Sequence, residues 1–289
     1  ISVGGFGYNR KVFSGLLMPG VCHIPSTYNL EKQAHSVGQP EWGAHLADEL
    51  EKRILLHDAE NVAAVIVEPV PGSTGVLPPP KGYLEKIRAI CTKHDILMIA
   101  DEVITAWGRL GRATASEYFN VMPDIITSAK AINNAAVPMG ATFMRKGIYD
   151  AFMQGGEYGA EFMHGYTYSG HPLACAAAIA TQEAYKEDGM FENAQRLEKT
   201  WGQAIHSLKN APYVIDTRSI GLMGAVELDP GTRQSPAEMS RTMEVWDKLF
   251  FDHGVMLRFT GNVLAMSPPL IINESQISEV VEKIRKALE

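Results

Sequence analysis

The first part of the chain alternates between short, unbroken apolar runs and stretches with helical spacing. Such runs, without polar alternation, are typical of strands buried on both faces of a parallel sheet. Predicted strands lie at 62–67, 96–100 and 125–127, with a candidate fourth strand at 140–144 and helices at 43–57 and 81–94. This repeated strand–helix–strand order predicts an α/β fold with a doubly wound, mostly parallel sheet and right-handed crossovers.

The pattern changes near residue 171. Helical spacing then predominates, and the predicted elements are helices at 172–187, 190–209, 236–253 and 274–288 and short strands near 213–217 and 221–228. This order is typical of an α+β unit. We therefore predict a large domain over 1–170, and a connecting helix with a smaller C-terminal α+β domain over 171–289.

Composition narrows the function classes. The 289 residues are 46% apolar and carry a formal net charge of −7, so they can bury a core but present no basic excess to a nucleic acid. The three cysteines form no CxxC pair, and the nine histidines form no HxH or HxxxH pair, so no disulfide or metal site is predicted. No apolar run is long enough to span a bilayer, and a cytoplasmic protein interacting with neither membrane nor nucleic acid is expected.

Charged residues follow three of the predicted strands. Glu68 follows the first run, Asp101 and Glu102 follow the second, and Lys130 lies just after the third. Ligands of open α/β sheets bind beyond the carboxyl ends of strands, but an ion-pair network that only holds loops would place the same residues there. A desolvated lysine can form a Schiff base with the aldehyde of pyridoxal phosphate, which also needs an acid at its pyridine nitrogen. Lys130 and Asp101 suit these two roles.

Three motifs carry a family resemblance. They are IADEVIT at 99–105, GRLG at 108–111 and PDIITSAK at 123–130. With the spacing between aspartate and lysine, they closely resemble the class III aminotransferases, which have the type I pyridoxal-phosphate fold. The resemblance extends over 1–289 and is closest to the ω-amino acid–pyruvate (β-alanine–pyruvate) branch.

The resemblance implies roles for the residues at the strand ends. Lys130 would be the Schiff-base lysine and general base, and Asp101 would pair with the pyridinium nitrogen. Val103 would pack on one face of the cofactor ring, and Glu68 would have a supporting role near its edge.

Further roles lie outside the strand ends. The segment 164–172 matches the family stretch that reaches the phosphate of the neighbouring subunit, with Thr167 as the donor and Tyr166 beside it; a plain turn before Pro172 is the alternative. Arg258 matches the arginine that binds the carboxylate of the amino acceptor, a task suited to a planar guanidinium. Trp107 is either a wall of the substrate pocket or packing beneath a loop.

The chain also departs from the family pattern. Ser73 replaces the glutamate that ornithine- and γ-aminobutyrate-type members carry, and Ala131 follows the lysine where glycine is usual, which requires a negative φ at Ala131. The upstream glycine-serine phosphate loop and the ring-stacking aromatic of the family are not found. We therefore expect either an excerpt of a longer chain or a second polypeptide that supplies them.

The function implied by the resemblance is the transfer of an amino group from an ω-amino acid or amine to pyruvate, by a ping-pong reaction through pyridoxamine phosphate. A homodimer or tetramer with the active site at the subunit interface is expected. An aminomutase or decarboxylating relative on the same fold is the alternative enzyme. A truncated, non-catalytic assembly partner is the alternative outside the enzymes.

Overall fold

The computed structural model describes residues 1–154, 162, 164–232 and 239–289. The strands among them are β1 Ala64–Val67, β2 Leu97–Asp101, β3 Ile125–Ser128, β4 Ala141–Met144, β5 Val214–Ile220, β6 Met223–Leu228, β7 Arg258–Thr260 and β8 Val263–Met266. The α-helices are α1 Gly7–Val12, α2 Leu30–Gln33, α3 Asp48–His57, α4 Tyr83–Lys93, α5 Ala115–Tyr118, α6 Lys146–Met153, α7 Pro172–Glu187, α8 Met190–His206, α9 Arg241–Phe251 and α10 Glu274–Leu288. Short 3₁₀ helices lie at Ser14–Leu16, Ala44–Ala47, Ala59–Asn61 and Lys130–Ile132.

The first sheet has the order β1-β2-β3-β4. The three strands predicted from apolar runs pair in parallel, with Val67 beside Ala100 and Asp101 beside Thr127. The candidate fourth strand is present but runs antiparallel to β3. Between β3 and β4 the chain forms a 3₁₀ turn and no crossover helix, and a parallel return needs such a crossover. The sheet is therefore mixed at this edge.

Helix α4 makes the crossover between β1 and β2. Its buried face, which includes Leu84, Ile87 and Ile90, packs in one core with Met98 of β2. The connection from β2 to β3 contains only the four-residue helix α5, which Thr114 caps by accepting the Glu117 N–H. This loop lies directly after the carboxyl end of β2, where it helps to form the candidate site.

The second sheet has the order β5-β6-β8-β7 and is antiparallel. Its core includes Trp201 of α8, Leu249 of α9 and Ile284 of α10. The sequence pattern did not predict β7 or β8, because each has only three or four residues. Predicted helix 236–253 is observed as α9 from Arg241; residues 233–238 lie outside the described residues.

The two sheets share apolar contacts. Ile220, Met223 and Val263 of the second sheet lie in the same core as the buried face of α4. The predicted division of the chain at residue 170 stays a prediction.

In the part of the chain that the structure describes, no helix is both long and apolar enough to cross a membrane.

Candidate active site

The carboxyl ends of the three parallel strands bring Glu68, Asp101 and Lys130 to one edge of the sheet. Glu68 directly follows β1, Asp101 is the last residue of β2, and Lys130 comes shortly after β3. Both Asp101 and Lys130 act electrostatically on the Glu68 carboxyl group. The structure thus places together the three residues that the strand ends predicted.

The pKa of the Glu68 carboxyl group is shifted at this edge of the sheet. Burial raises its pKa above the ordinary value, and the Asp101 charge acts in the same direction. The Gly72 N–H, 3.3 Å from Oε2, and the Lys130 charge act to lower the pKa but do not cancel the effect of burial. Glu68 is therefore a carboxyl group that binds a proton more readily than an exposed glutamate.

Asp101 is half-buried and has an oxygen available for a ligand. Its Oδ1 accepts a hydrogen bond from the Val103 N–H at 3.2 Å, and no other described residue bonds to this carboxylate. Val103 itself is half-buried beside the aspartate. The pair places a carboxylate and an apolar side chain side by side at the end of β2.

Glu102 has a different role from its neighbour Asp101. It is 0% exposed. Its carboxylate accepts the N–H groups of Ala115 and Ser116, the Ser116 hydroxyl at 2.6 Å and the Thr105 hydroxyl at 3.3 Å. Glu102 therefore holds the first turn of α5 and is not free to contact a ligand.

Lys130 begins a 3₁₀ turn and has an exposed side chain, so the desolvation that the sequence argument expected at this lysine is not observed in the described part of the chain. Its φ is +48°, in the left-handed region, whereas Ala131 has no positive φ. Ala131 therefore has the negative φ that its methyl group requires. The residue with the left-handed conformation is Lys130 itself.

Trp107 is tied to the strand that precedes Lys130. Its indole Nε1–H donates to Ser128 Oγ at 2.6 Å, and its ring meets Phe143 of β4 edge to face, with centroids 6.3 Å apart. The half-buried Trp107 also packs against the second core. Of its two predicted roles, packing beneath the loop is observed, close to the site; a role as pocket wall stays a prediction.

The segment that carries Thr167 is exposed. Tyr166 is 79% exposed, and Thr167 lies in a turn in which the Tyr166 N–H donates to Ser169 Oγ at 2.9 Å. His171 caps α7 by accepting the Leu173 N–H at 3.2 Å, and Pro172 occupies the first helical turn. The turn before a helix is therefore observed, and Thr167 and Tyr166 are open to a partner.

Arg258 belongs to the second sheet, whereas the three strand-end residues belong to the first. It begins β7, the edge strand of the second sheet, opposite Ala265 of β8. Its side chain is exposed, and no described residue forms an ion pair with it. The predicted role of Arg258 stays a prediction.

An ion-pair network does exist in the first sheet, but at the opposite end of β3. Asp124 precedes β3 and pairs with Arg88 at 2.6 Å and with Arg145 at 3.1 Å. Burial acts to raise the pKa of Asp124, but the Met98 N–H and Arg88 outweigh it and hold that pKa below its usual range. The network that holds loops is thus separate from Glu68, Asp101 and Lys130.

Two residues next to Lys130 were not identified from the sequence. Tyr185 Oη donates to the Ala131 carbonyl at 2.8 Å, and Gln182 Nε2 donates to the Ile132 carbonyl at 3.0 Å. Their spacing of three residues places both side chains on one face of α7, and this spacing is the only feature of the sequence that pairs them.

Among the described residues, no group of three or more His, Cys, Asp or Glu side chains could hold a metal ion.

Comparison with known proteins agrees with this fold. The family model for aminotransferase class-III matches residues 4–288. The chain therefore belongs to the class III aminotransferases, and the predicted family is confirmed. It is 54% identical over 288 residues to the omega-aminotransferase of Caulobacter vibrioides, covering 100% of this chain and 64% of that protein.

More distant relatives carry similar names. The chain is 42% identical to the beta-alanine–pyruvate aminotransferase of Pseudomonas aeruginosa, over 99% of this chain and 63% of that protein. The crystal structure of the omega transaminase from Pseudomonas jessenii in complex with PMP superposes with a TM-score of 0.86 at 33% identity, covering 99% of this chain and 64% of that one. The predicted fold is confirmed. The chain spans just under two thirds of the length of these relatives.

Proposed function

We propose that this chain forms the larger part of a pyridoxal-phosphate-dependent aminotransferase that moves an amino group from an ω-amino acid or amine to pyruvate. The observation that carries the proposal is the meeting of Glu68, Asp101 and Lys130 at the carboxyl edge of the parallel strands. The similarity to an omega-aminotransferase and a beta-alanine–pyruvate aminotransferase supports the substrate class.

The donor set at this edge fits the cofactor. The exposed Lys130 amine is the group that captures an aldehyde, and Asp101 has a carboxylate oxygen without a partner among the described residues. Val103 supplies an apolar surface next to that carboxylate. Pyridoxal phosphate, when bound, supplies the aldehyde and an electron sink for the carbon that loses its proton.

Three side chains of this chain would then have separate roles in the reaction. Lys130 Nζ would hold the aldehyde and afterwards carry the proton to and from the substrate carbon that bears the amino group. Asp101 would keep a proton on the pyridine nitrogen by pairing with the positive charge there. Glu68 would support the site at its edge, where burial favours its protonated form.

Two exposed residues outside the strand ends would complete the site. Thr167, with Tyr166 beside it, would donate to the phosphate held by a neighbouring subunit, which makes the active unit at least a dimer. Arg258 would bind the carboxylate of the keto acid through two parallel hydrogen bonds. Trp107 would form a wall of the substrate pocket.

Borohydride reduction tests the assignment of Lys130. The full-length protein is loaded with pyridoxal phosphate, reduced and digested, and the mass of the modified peptide identifies the lysine. We expect the label on Lys130, and no label there in Lys130→Ala. We also expect alanine from pyruvate and an ω-amino donor with the wild-type protein. A label on another lysine, or no alanine, would contradict the proposal.

A subunit-complementation experiment tests the role of Thr167. Thr167→Asp places a negative charge against the phosphate, and this variant and Lys130→Ala are each expected to be inactive. In a mixed dimer, the subunit with an intact Lys130 receives an intact Thr167 from its neighbour, so one of the two sites is active. Because about half of the dimers are mixed after equal co-expression, about a quarter of all sites should be active. No activity in the co-expressed mixture would show that Thr167 serves its own subunit.

A further inference from the structure

Side chains from α7 hold the turn that begins at Lys130. The Tyr185 hydroxyl donates to the Ala131 carbonyl at 2.8 Å, and the Gln182 amide donates to the Ile132 carbonyl at 3.0 Å. These two carbonyls belong to the residues directly after the lysine. Tyr185 is buried, and burial raises the pKa of its hydroxyl, so that the hydroxyl remains a hydrogen-bond donor.

The backbone at Lys130 needs such support. Its φ of +48° is unfavourable for any residue with a side chain, and Asn134 and Ala135 in the same loop also have positive φ, at 50° and 59°. Left-handed conformations of non-glycine residues persist only where the surrounding structure holds them. The loop's own hydrogen bonds include Ala135 N–H to the Lys130 carbonyl at 3.1 Å.

The chain before the lysine is held separately. Trp107 Nε1 donates to Ser128 Oγ at 2.6 Å, at the last residue of β3. Lys130 therefore lies between two anchored points, Ser128 before it and the Ala131–Ile132 carbonyls after it. Breaking the second anchor removes the hydrogen bonds from α7 that oppose a return of the lysine to a negative φ, and such a return would change the direction of its side chain.

We propose that Tyr185 and Gln182 are positioning residues for Lys130. By binding the two carbonyls after the lysine, they keep its backbone left-handed and its amine directed to the edge where Glu68 and Asp101 lie. The proposal rests on the proposed function and extends it by giving α7 a part in the chemistry. Neither residue touches the reacting atoms.

Hydrogen exchange of the cofactor-free, full-length protein provides the first test. Tyr185→Phe keeps the buried ring and removes only the hydroxyl, and Gln182→Met removes the amide donor. Tyr118→Phe is the matched control, because the Tyr118 hydroxyl donates to Glu198 at 2.8 Å, away from the lysine. We expect amides in the peptide 129–136 to exchange about tenfold faster in the two α7 variants and at the wild-type rate in the control.

The rate of capture by Lys130 provides the second test. Pyridoxal phosphate is added, samples are reduced with borohydride at intervals, and the labelled Lys130 peptide is quantified. We expect capture to be about tenfold slower in Tyr185→Phe and Gln182→Met and unchanged in Tyr118→Phe. Wild-type exchange in both variants, or faster exchange with wild-type capture, would overturn the positioning role. Failure of the wild-type protein to label Lys130 would instead overturn the proposed function, and the positioning role with it.

Discussion

Replacing Glu102 by glutamine should destabilise the protein far more than replacing its neighbour Asp101 by asparagine. The two acids are adjacent in sequence, yet Glu102 is 0% exposed and accepts four hydrogen bonds from the loop after β2 and the first turn of α5. Asp101 accepts a single bond from a described residue, the Val103 N–H. The comparison therefore separates a structural carboxylate from one available to a ligand.

The magnitude follows from the donors that Glu102 binds. Glutamine keeps one accepting oxygen and turns an NH₂ group toward the donors on the other side, so about two of the four hydrogen bonds are lost. Each bond to a charged group contributes about 1.5–3 kcal/mol net, so the loss of two bonds gives about 3–6 kcal/mol. Asparagine at 101 keeps an oxygen for the Val103 N–H, so its cost should stay within about 1 kcal/mol. A domain is stable by only about 5–15 kcal/mol, so the difference is large.

Urea unfolding followed by circular dichroism measures both variants of the full-length, cofactor-free protein. We expect a marked drop in the midpoint for Glu102→Gln and a near wild-type midpoint for Asp101→Asn. In an activity assay of the protein loaded with pyridoxal phosphate, Asp101→Asn should lose transamination by several powers of ten. An unfolding free energy of Glu102→Gln within about 1 kcal/mol of the wild type, or an equal loss of stability in both variants, would refute the structural role of Glu102.

Three further predictions concern charge. Because the pKa of Glu68 is raised, its ionised form is less stable in the folded protein than in the unfolded protein. Glu68→Gln should therefore have a higher unfolding free energy than the wild type at mildly alkaline pH. This difference should disappear as the pH falls through the raised pKa. The lowered pKa of Asp124 contributes stability at neutral pH that is lost on acidification, so Arg88→Met should reduce stability at neutral pH and flatten its decline in acid, measured by thermal unfolding. Arg258→Ala should raise the KM for pyruvate about tenfold or more and leave that of an amine donor lacking a carboxylate nearly unchanged; equal effects in steady-state assays would assign Arg258 a structural role.

The sequence alone determined the architecture that creates the site. Apolar runs predicted β1, β2 and β3, and the rule that ligands bind beyond the carboxyl ends of parallel strands placed Glu68, Asp101 and Lys130 at one edge. Strand periodicity and chain order are local properties, so they can be read from the sequence without the tertiary structure. The motifs around Asp101 and Lys130 identified the family on the same local basis.

Tertiary structure decided what periodicity could not. The antiparallel direction of β4, the separate roles of Asp101 and Glu102, and the hydrogen bonds from Tyr185 and Gln182 to the lysine turn all depend on contacts between distant parts of the chain. Asp101 and Glu102 are adjacent acidic residues, yet only Glu102 binds the first turn of a helix. Packing in the folded protein decides which of the two does so. A left-handed φ at Lys130 likewise persists because of its surroundings and not because of its own preference.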